Sequence, residues 1–349
     1  MKEVCHFVII ESRNAYYQEE DLVPRTEFAR ERWSRTILLS LFLAISLHES
    51  AFAIRAYSTL YQDLKGHDAV IATVLSKHVD SISTVYIFRI NERITAGIAD
   101  SVIPVISFWG SRGGYAEAQR FDVGSKYLLL LYRGDSLFNS DPFRNEIYRQ
   151  SKAFDALDSF PESRRDFKSA VEASKILITI RSLSDTIEVK NQFLKFLKSQ
   201  NDFLIESAID ELKKFKDTRA ISDLRRLSGS GSEMVRYLAL TALREINGKE
   251  ETPTFFKSLR DSSYLVRQRA LQNLIWLKVV IPEDTLFQFV MNPTEESGNI
   301  SLAAHQLLID HSTHSIPILQ KLLIAQPKNG ELRRTLPRVI DSLKTFIKK

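Results

Sequence analysis

One helical pattern recurs along the C-terminal half at a nearly fixed interval, and a fixed interval admits few folds. Leu204, Ala208 and Leu212 align with Val235, Ala239 and Leu243, and then with Val266, Ala270 and Leu274, a step of 31 residues at every position. The step lengthens to 33 for Ala303 and Leu307. Leu332, Leu336 and Ile340 form a weaker last copy, in which Pro337 marks a terminal, capping unit. A single helical hairpin cannot bury its own apolar face, so repetition at this period predicts hairpins stacked into a solenoid. A generic antiparallel bundle would also contain amphipathic helices, but nothing in it enforces a period.

Each copy holds two amphipathic stretches, as in Thr252–Arg260 followed by Ser263–Leu277, with a break at Asp261-Ser262. A Ser or Asp side chain there can cap the next helix by accepting from its free backbone N–H groups. The small residue four positions after each Leu or Val (Ala208, Ala239, Ala270) predicts close helix approach, because a methyl group lets backbones meet where Leu would hold them apart.

Ser232-Glu233-Met234-Val235-Arg236, with Ala239 and Ala242-Leu243 after it, returns as Ser262-Ser263-Tyr264-Leu265-Val266-Arg267 with Ala270 and Leu274. This resembles HEAT repeats, and more narrowly the short HEAT-like repeats named after phycobilisome lyases. The resemblance covers residues 201–349, with the Val-Arg pair in two copies. It implies that Arg236 and Arg267 support the packing of adjacent repeats, and it implies a fold rather than a reaction.

Near the N-terminus, Arg30-Glu31-Arg32-Trp33-Ser34-Arg35 precedes an apolar run from Ile37 to Leu47, followed by Ala51-Phe52-Ala53. A positive segment, a short apolar stretch and an Ala-x-Ala motif form a secretory signal layout. Residues 1–53 are therefore expected to be leader and signal peptide, cut after Ala53, with the protein exported to the periplasm or beyond. The apolar run is shorter than the roughly 20 residues a spanning helix needs, so the mature protein is not expected to be integral to a membrane. Cys5, the single cysteine, would leave with the leader. That excludes disulfides, cysteine catalysis and zinc-thiolate sites.

Losing the leader raises the net charge from +5 to +7, a modest excess. Within residues 201–349, 22 basic and 18 acidic residues are interleaved, which argues against a nucleic-acid groove, and the partner expected for the repeat surface is a protein. The Arg333-Arg334 and Lys348-Lys349 pairs are best explained as solvated helix ends.

Residues 54–140 have a different grammar, with short runs of Val, Ile, Tyr and Phe separated by turn residues. Asp68–Leu75, Thr84–Ile90, Val102–Trp109 and Lys126–Tyr132 are predicted strands, and Gly124 a tight turn. Asp68-Ala69-Val70, then Tyr86-x-Phe88-x-Ile90, then Phe121-x-x-Gly124-x-x-Tyr127-Leu128-Leu129 resembles netrin-like domains of the type found in tissue inhibitors of metalloproteinases, which implies an OB-like β-barrel. Inhibition through an N-terminal cysteine is not carried over, since the mature chain would begin near Ile54. Residues 141–200 are expected to be adapter helices, Arg164–Leu183 and Thr186–Lys198, with a linker near Ser159-Phe160-Pro161. The fold class is thus α+β, a small OB-like β-barrel followed by an all-α solenoid of HEAT-like helical hairpins.

No residue cluster amounts to a catalytic, cofactor or metal site. His305, His311 and His314, with Asp310, lack a spacing that would present ligands on one helix face. The Gly110–Gly114 loop lacks the Lys-Ser/Thr of a phosphate-binding loop. Glu250-Glu251 and Glu295-Glu296 fall in polar turns, where solvation accounts for them, and Trp109 and Trp276 suit core or interface positions. Repeat proteins commonly bind along the concave face made by successive second helices. Helical phase puts Arg236, Arg267 and Gln268 near inter-repeat contacts, and Tyr237, Thr241, Gln272 and Asn273 outward, as candidate partner-binding residues. The resulting expectation is an exported, non-catalytic interaction scaffold of the cell envelope. The repeat subfamily suggests an alternative, an enzyme accessory or lyase-like protein that handles a small prosthetic group.

Overall fold

The run Leu128-Leu129-Leu130-Leu131 shows no alternation because its strand is buried on both faces, all four side chains being fully enclosed. The computed structural model describes residues 59–65, 67–79, 83–108, 120–133, 154–292, 295–310, 312–325 and 331–347. The expected leader, Trp109, the Gly110–Gly114 loop, His311 and Lys348-Lys349 lie outside them.

A short helix α1 (Leu60–Leu64) leads into β1 (Asp68–Val79), β2 (Ser83–Arg93), β3 (Val102–Phe108), β4 (Lys126–Arg133) and β5 (Phe154–Pro161). The strands close into a barrel in the order β1-β2-β3-β5-β4. All pairings are antiparallel except β3 with β5, which is parallel. This is an OB-type barrel. Register shifts in β1 at Ile71/Ala72 and Val74/Ser76 supply the bends that closure requires. Phe121 fills the interior, edge-on to Tyr86, Phe88 and Tyr127 at 4.9, 5.1 and 5.1 Å between centroids. The turn after it is closed by Ser125 N–H donating to Asp122 O (3.0 Å), with Gly124 at φ +87°, a conformation that strains any residue with a Cβ.

Twelve helices are described in all, and α2 (Phe167–Arg181) opens the helical half. Five hairpins follow. They are α3 (Thr186–Phe196) with α4 (Asp202–Lys214), α5 (Ile221–Leu227) with α6 (Glu233–Asn247), α7 (Thr252–Ser258) with α8 (Tyr264–Trp276), α9 (Glu283–Met291) with α10 (Ser297–Ile309), and α11 (Ile316–Ala325) with α12 (Glu331–Ile347). The second helices of the first four begin at Asp202, Glu233, Tyr264 and Ser297, which reproduces the 31, 31 and 33 steps of the sequence. Each second helix packs on the next, forming one continuous layer. Ala208, Ala239, Ala270 and Ala303 are all fully buried there, as close helix approach demands.

Two expected boundaries move. The segment around Ser159-Phe160-Pro161 is no linker but the end of β5, and the barrel extends to Pro161 rather than stopping at 140. The first hairpin begins at Thr186, so α3 is a repeat helix and α2 is the adapter. The reason is a shared core. On β1 and β4, Val70, Ala72, Leu129 and Leu131 point into the barrel, while Ala69, Ile71, Leu128 and Leu130 join Phe160 in the core cluster that runs through the helices to Leu343. The Phe160 ring meets Phe203 of α4 edge-on at 5.6 Å.

Candidate functional site

The repeats are tied together by arginines. Arg236, near the start of α6, donates from Nε and Nη2 to both carboxylate oxygens of Asp261 at 2.8 Å, and from Nη1 to Ser230 O and Gly231 O. One repeat later Arg267 does the same to Glu295, at 2.8 and 2.9 Å, and to Asp261 O and Ser262 O. Each guanidinium thus closes the loop ahead of its own helix and clamps a carboxylate of the next repeat, a bidentate geometry that Lys cannot match. Arg225 of α5 reaches Glu251, which also accepts from Asn247 and Thr254. Burial alone would raise the Glu251 carboxyl, but these donors outweigh it and hold its pKa below the ordinary carboxylate value.

This overturns the solvation reading of the glutamate pairs. Glu251 and Glu295 are buried anchors, and only their neighbours Glu250 and Glu296 are exposed. Arg236, Arg267 and Gln268 sit at inter-repeat contacts as expected. A methyl at Gly298 of α10 would come within 3.3 Å of Gln268 Nε2.

Two of the four outward candidates are not outward. Tyr237 is buried, and Asn273 is fully buried with its Nδ2 donating to Leu240 O of α6 at 2.9 Å. Successive helical residues point about 100° apart, so Gln272 and Asn273 cannot share a face, and the second turns into the seam between α6 and α8. Thr241 and Gln272 are half-buried, and Thr241 Oγ1 donates to Tyr237 O.

The same seam holds a group that phase counting missed. Arg269 of α8 lies over the Tyr237 ring at 4.4 Å and the Trp276 ring at 5.6 Å, and Arg244 of α6 covers Trp276 at 4.1 Å. Trp276 is therefore not a core residue; it is 37% exposed. Arg244 is paired with Glu245. Arg269 Nε, by contrast, is buried with no hydrogen-bond partner, and burial drops the guanidinium pKa to about 10. At this step of the repeat α6 has Leu238 and α10 has Leu302. The first second helix, α4, has Ser207 there, so a single charge at an otherwise uncharged step of the repeat is the signal that would have found it.

Among the described residues, no group of three or more His, Cys, Asp or Glu is placed to hold a metal ion. His305 is in α10, its ring held by Ser301 O, and its pKa is lowered by burial against that bond. His314 is exposed on a separate 3-10 turn. No helix among the described residues is long and apolar enough to cross a membrane.

A family model for HEAT repeats matches residues 191–275, which run from α3 to α8. No curated protein matches the chain. Among solved structures, it is similar to the complex of CpcE and CpcF of phycocyanin lyase from a Nostoc species, at 18% identity and a TM-score of 0.33, over 45% of this chain and 65% of that one. It thus spans less than two thirds of the lyase chain. It is also similar to an engineered protein at 16% identity and a TM-score of 0.32, over 60% of this chain and 94% of that one. Neither likeness bears on what this chain binds. The netrin-like lineage of the barrel rests on its sequence resemblance alone. The helical half, with its period, stacked second helices and matched segment, is a HEAT-like repeat array.

Proposed function

We propose that this protein is an exported, non-catalytic scaffold of the cell envelope, binding a partner protein along its second-helix layer. The observation that carries the reading is that layer itself. Fully buried Ala and Leu hold it rigid from behind, while Trp276 is exposed and Thr241 and Gln272 are partly open on the same flank. A stiff surface with exposed polar and aromatic side chains suits partner recognition, because little side-chain freedom is lost on binding.

The test is capture of partners from native envelope fractions by the full chain and by a Thr241→Ala, Gln272→Ala, Trp276→Ala variant. We expect weaker capture with the melting temperature little changed. Unaltered capture would move the binding surface elsewhere, and a chromophore or metal retained by the purified protein would favour a carrier of a prosthetic group. The export part of the proposal rests on residues 30–53 of the sequence. N-terminal sequencing of the exported protein should begin at or near Ile54, and recovery of residues ahead of Arg35 would overturn cleavage.

A further inference from the structure

We infer that Arg269 is a carboxylate receptor, and that the partner engages the seam between α6 and α8 through an acidic residue flanked by apolar ones. The inference rests on the proposed function and supplies its specificity.

The part-buried guanidinium groups that clamp successive repeats are neutralised internally, Arg236 by Asp261 and Arg267 by Glu295, and the more exposed Arg225 has Glu251. The acids on the first second-helix are answered too, Asp210 by Lys213, Lys214 and Gln62, and Glu211 by Lys65 and Lys214. Arg269 has ring faces and no carboxylate among the described residues. Desolvating a cation without a counterion is costly, and Leu serves at the same step in the repeats on either side. A charge kept at such a cost is explained by a counterion that arrives with the partner.

The geometry narrows the class. Tyr237 and Trp276 flank the guanidinium through their ring faces and Nε is buried, which leaves the two terminal Nη groups as the recognition element, and their paired N–H donors fit the two oxygens of a carboxylate end-on. Trp276 is 37% exposed, and Ile309, at the same step one repeat on, is 38% exposed. An acidic residue beside apolar side chains uses both the charge and this apolar flank. Inorganic phosphate would use the charge alone.

The experiment uses the full chain and calorimetric titration with a helical peptide presenting Glu beside Leu on one face, its Gln-for-Glu counterpart, and inorganic phosphate. Arg269→Leu installs the residue of the neighbouring repeats, so it should fold and melt no lower than the wild type. Arg269→Lys keeps charge and loses the planar fork. We expect the Glu peptide to bind, the Gln peptide to bind about tenfold or more weakly, and Arg269→Leu to lose the difference, with Arg269→Lys between. Equal binding of the Glu peptide to wild type and Arg269→Leu, or no binding at all, overturns the inference. So does Arg269-dependent binding of phosphate with none of the peptide, which would assign the seam to a phosphate ligand. Envelope partners captured equally by Arg269→Leu would sink this inference and leave the scaffold reading standing; absence of any captured partner sinks the scaffold reading itself.

Discussion

At the scale of single residues, the repeat register makes quantitative claims. Ala270 is fully buried where α8 meets its neighbours, so Ala270→Leu should overpack the layer and destabilise by about 1–3 kcal/mol, read from denaturant unfolding. The Arg267–Glu295 clamp is buried on its acid side, and Arg267→Ala would strand that carboxylate at a cost of about 3 kcal/mol. Glu251 gives a pH signature. Its folded pKa is depressed, so its stabilisation is fully present above the unfolded value near 4.5 and disappears as pH falls through the lower folded value. Glu251→Gln should therefore melt lower at neutral pH and show a flatter acid limb in thermal scans below that value. Arg267 was legible in the sequence as a packing residue, but its acid was not. Glu295 sits 28 residues on in a turn that looks solvated, and only the closing of α9 against α10 encloses it. Asn273 failed for a related reason, because a polar amide in an apolar seam is invisible until the facing carbonyl of Leu240 is placed.

At the scale of elements, helix starts were readable and helix ends less so. Asp185, Asn201 and Asp217 each accept from the backbone N–H two residues on, capping chemistry that their sequence positions announce. The ends of α4 and α8 are formed by Lys216 and Lys278 at φ +49° and +53°, in the left-handed region that normally calls for Gly. The corresponding end of α6 has Gly248 at φ +59°. Lys278→Gly should thus relieve strain and stabilise by about 0.5–1 kcal/mol, measured as a rise in denaturation midpoint, and no change would mean that the lysine is held there by something stronger than its own conformational preference. The strands from β1 to β4 were recognisable as short runs of Val, Ile, Leu, Tyr and Phe bounded by turn residues. β5 was not, because Phe154-Asp155-Ala156-Leu157-Asp158 mixes polar and apolar residues without the β-branched run of a strand, and its pairing partner β4 lies outside its local sequence.

For the whole molecule, the sequence separated two regions by composition, and composition does not report whether two regions share a core. The unit from Tyr57 to Lys349 is undivided, with Phe160 of the barrel against Phe203 of the helices. Unfolding followed by near-UV circular dichroism of the barrel aromatics and far-UV signal of the helices should therefore give one coincident transition, and Phe203→Ala should lower both together. Separate midpoints would show that the barrel and the repeats are independent. The doubly buried strand β4 also sets an order of events during synthesis. The ribosome releases Leu128 and Leu130 before α2 exists to pack on β4, so the nascent chain carries an adhesive apolar stripe through that interval. A chaperone that holds emerging chains open has its natural target there, and a translational pause placed after the barrel would prolong the danger instead of helping it fold.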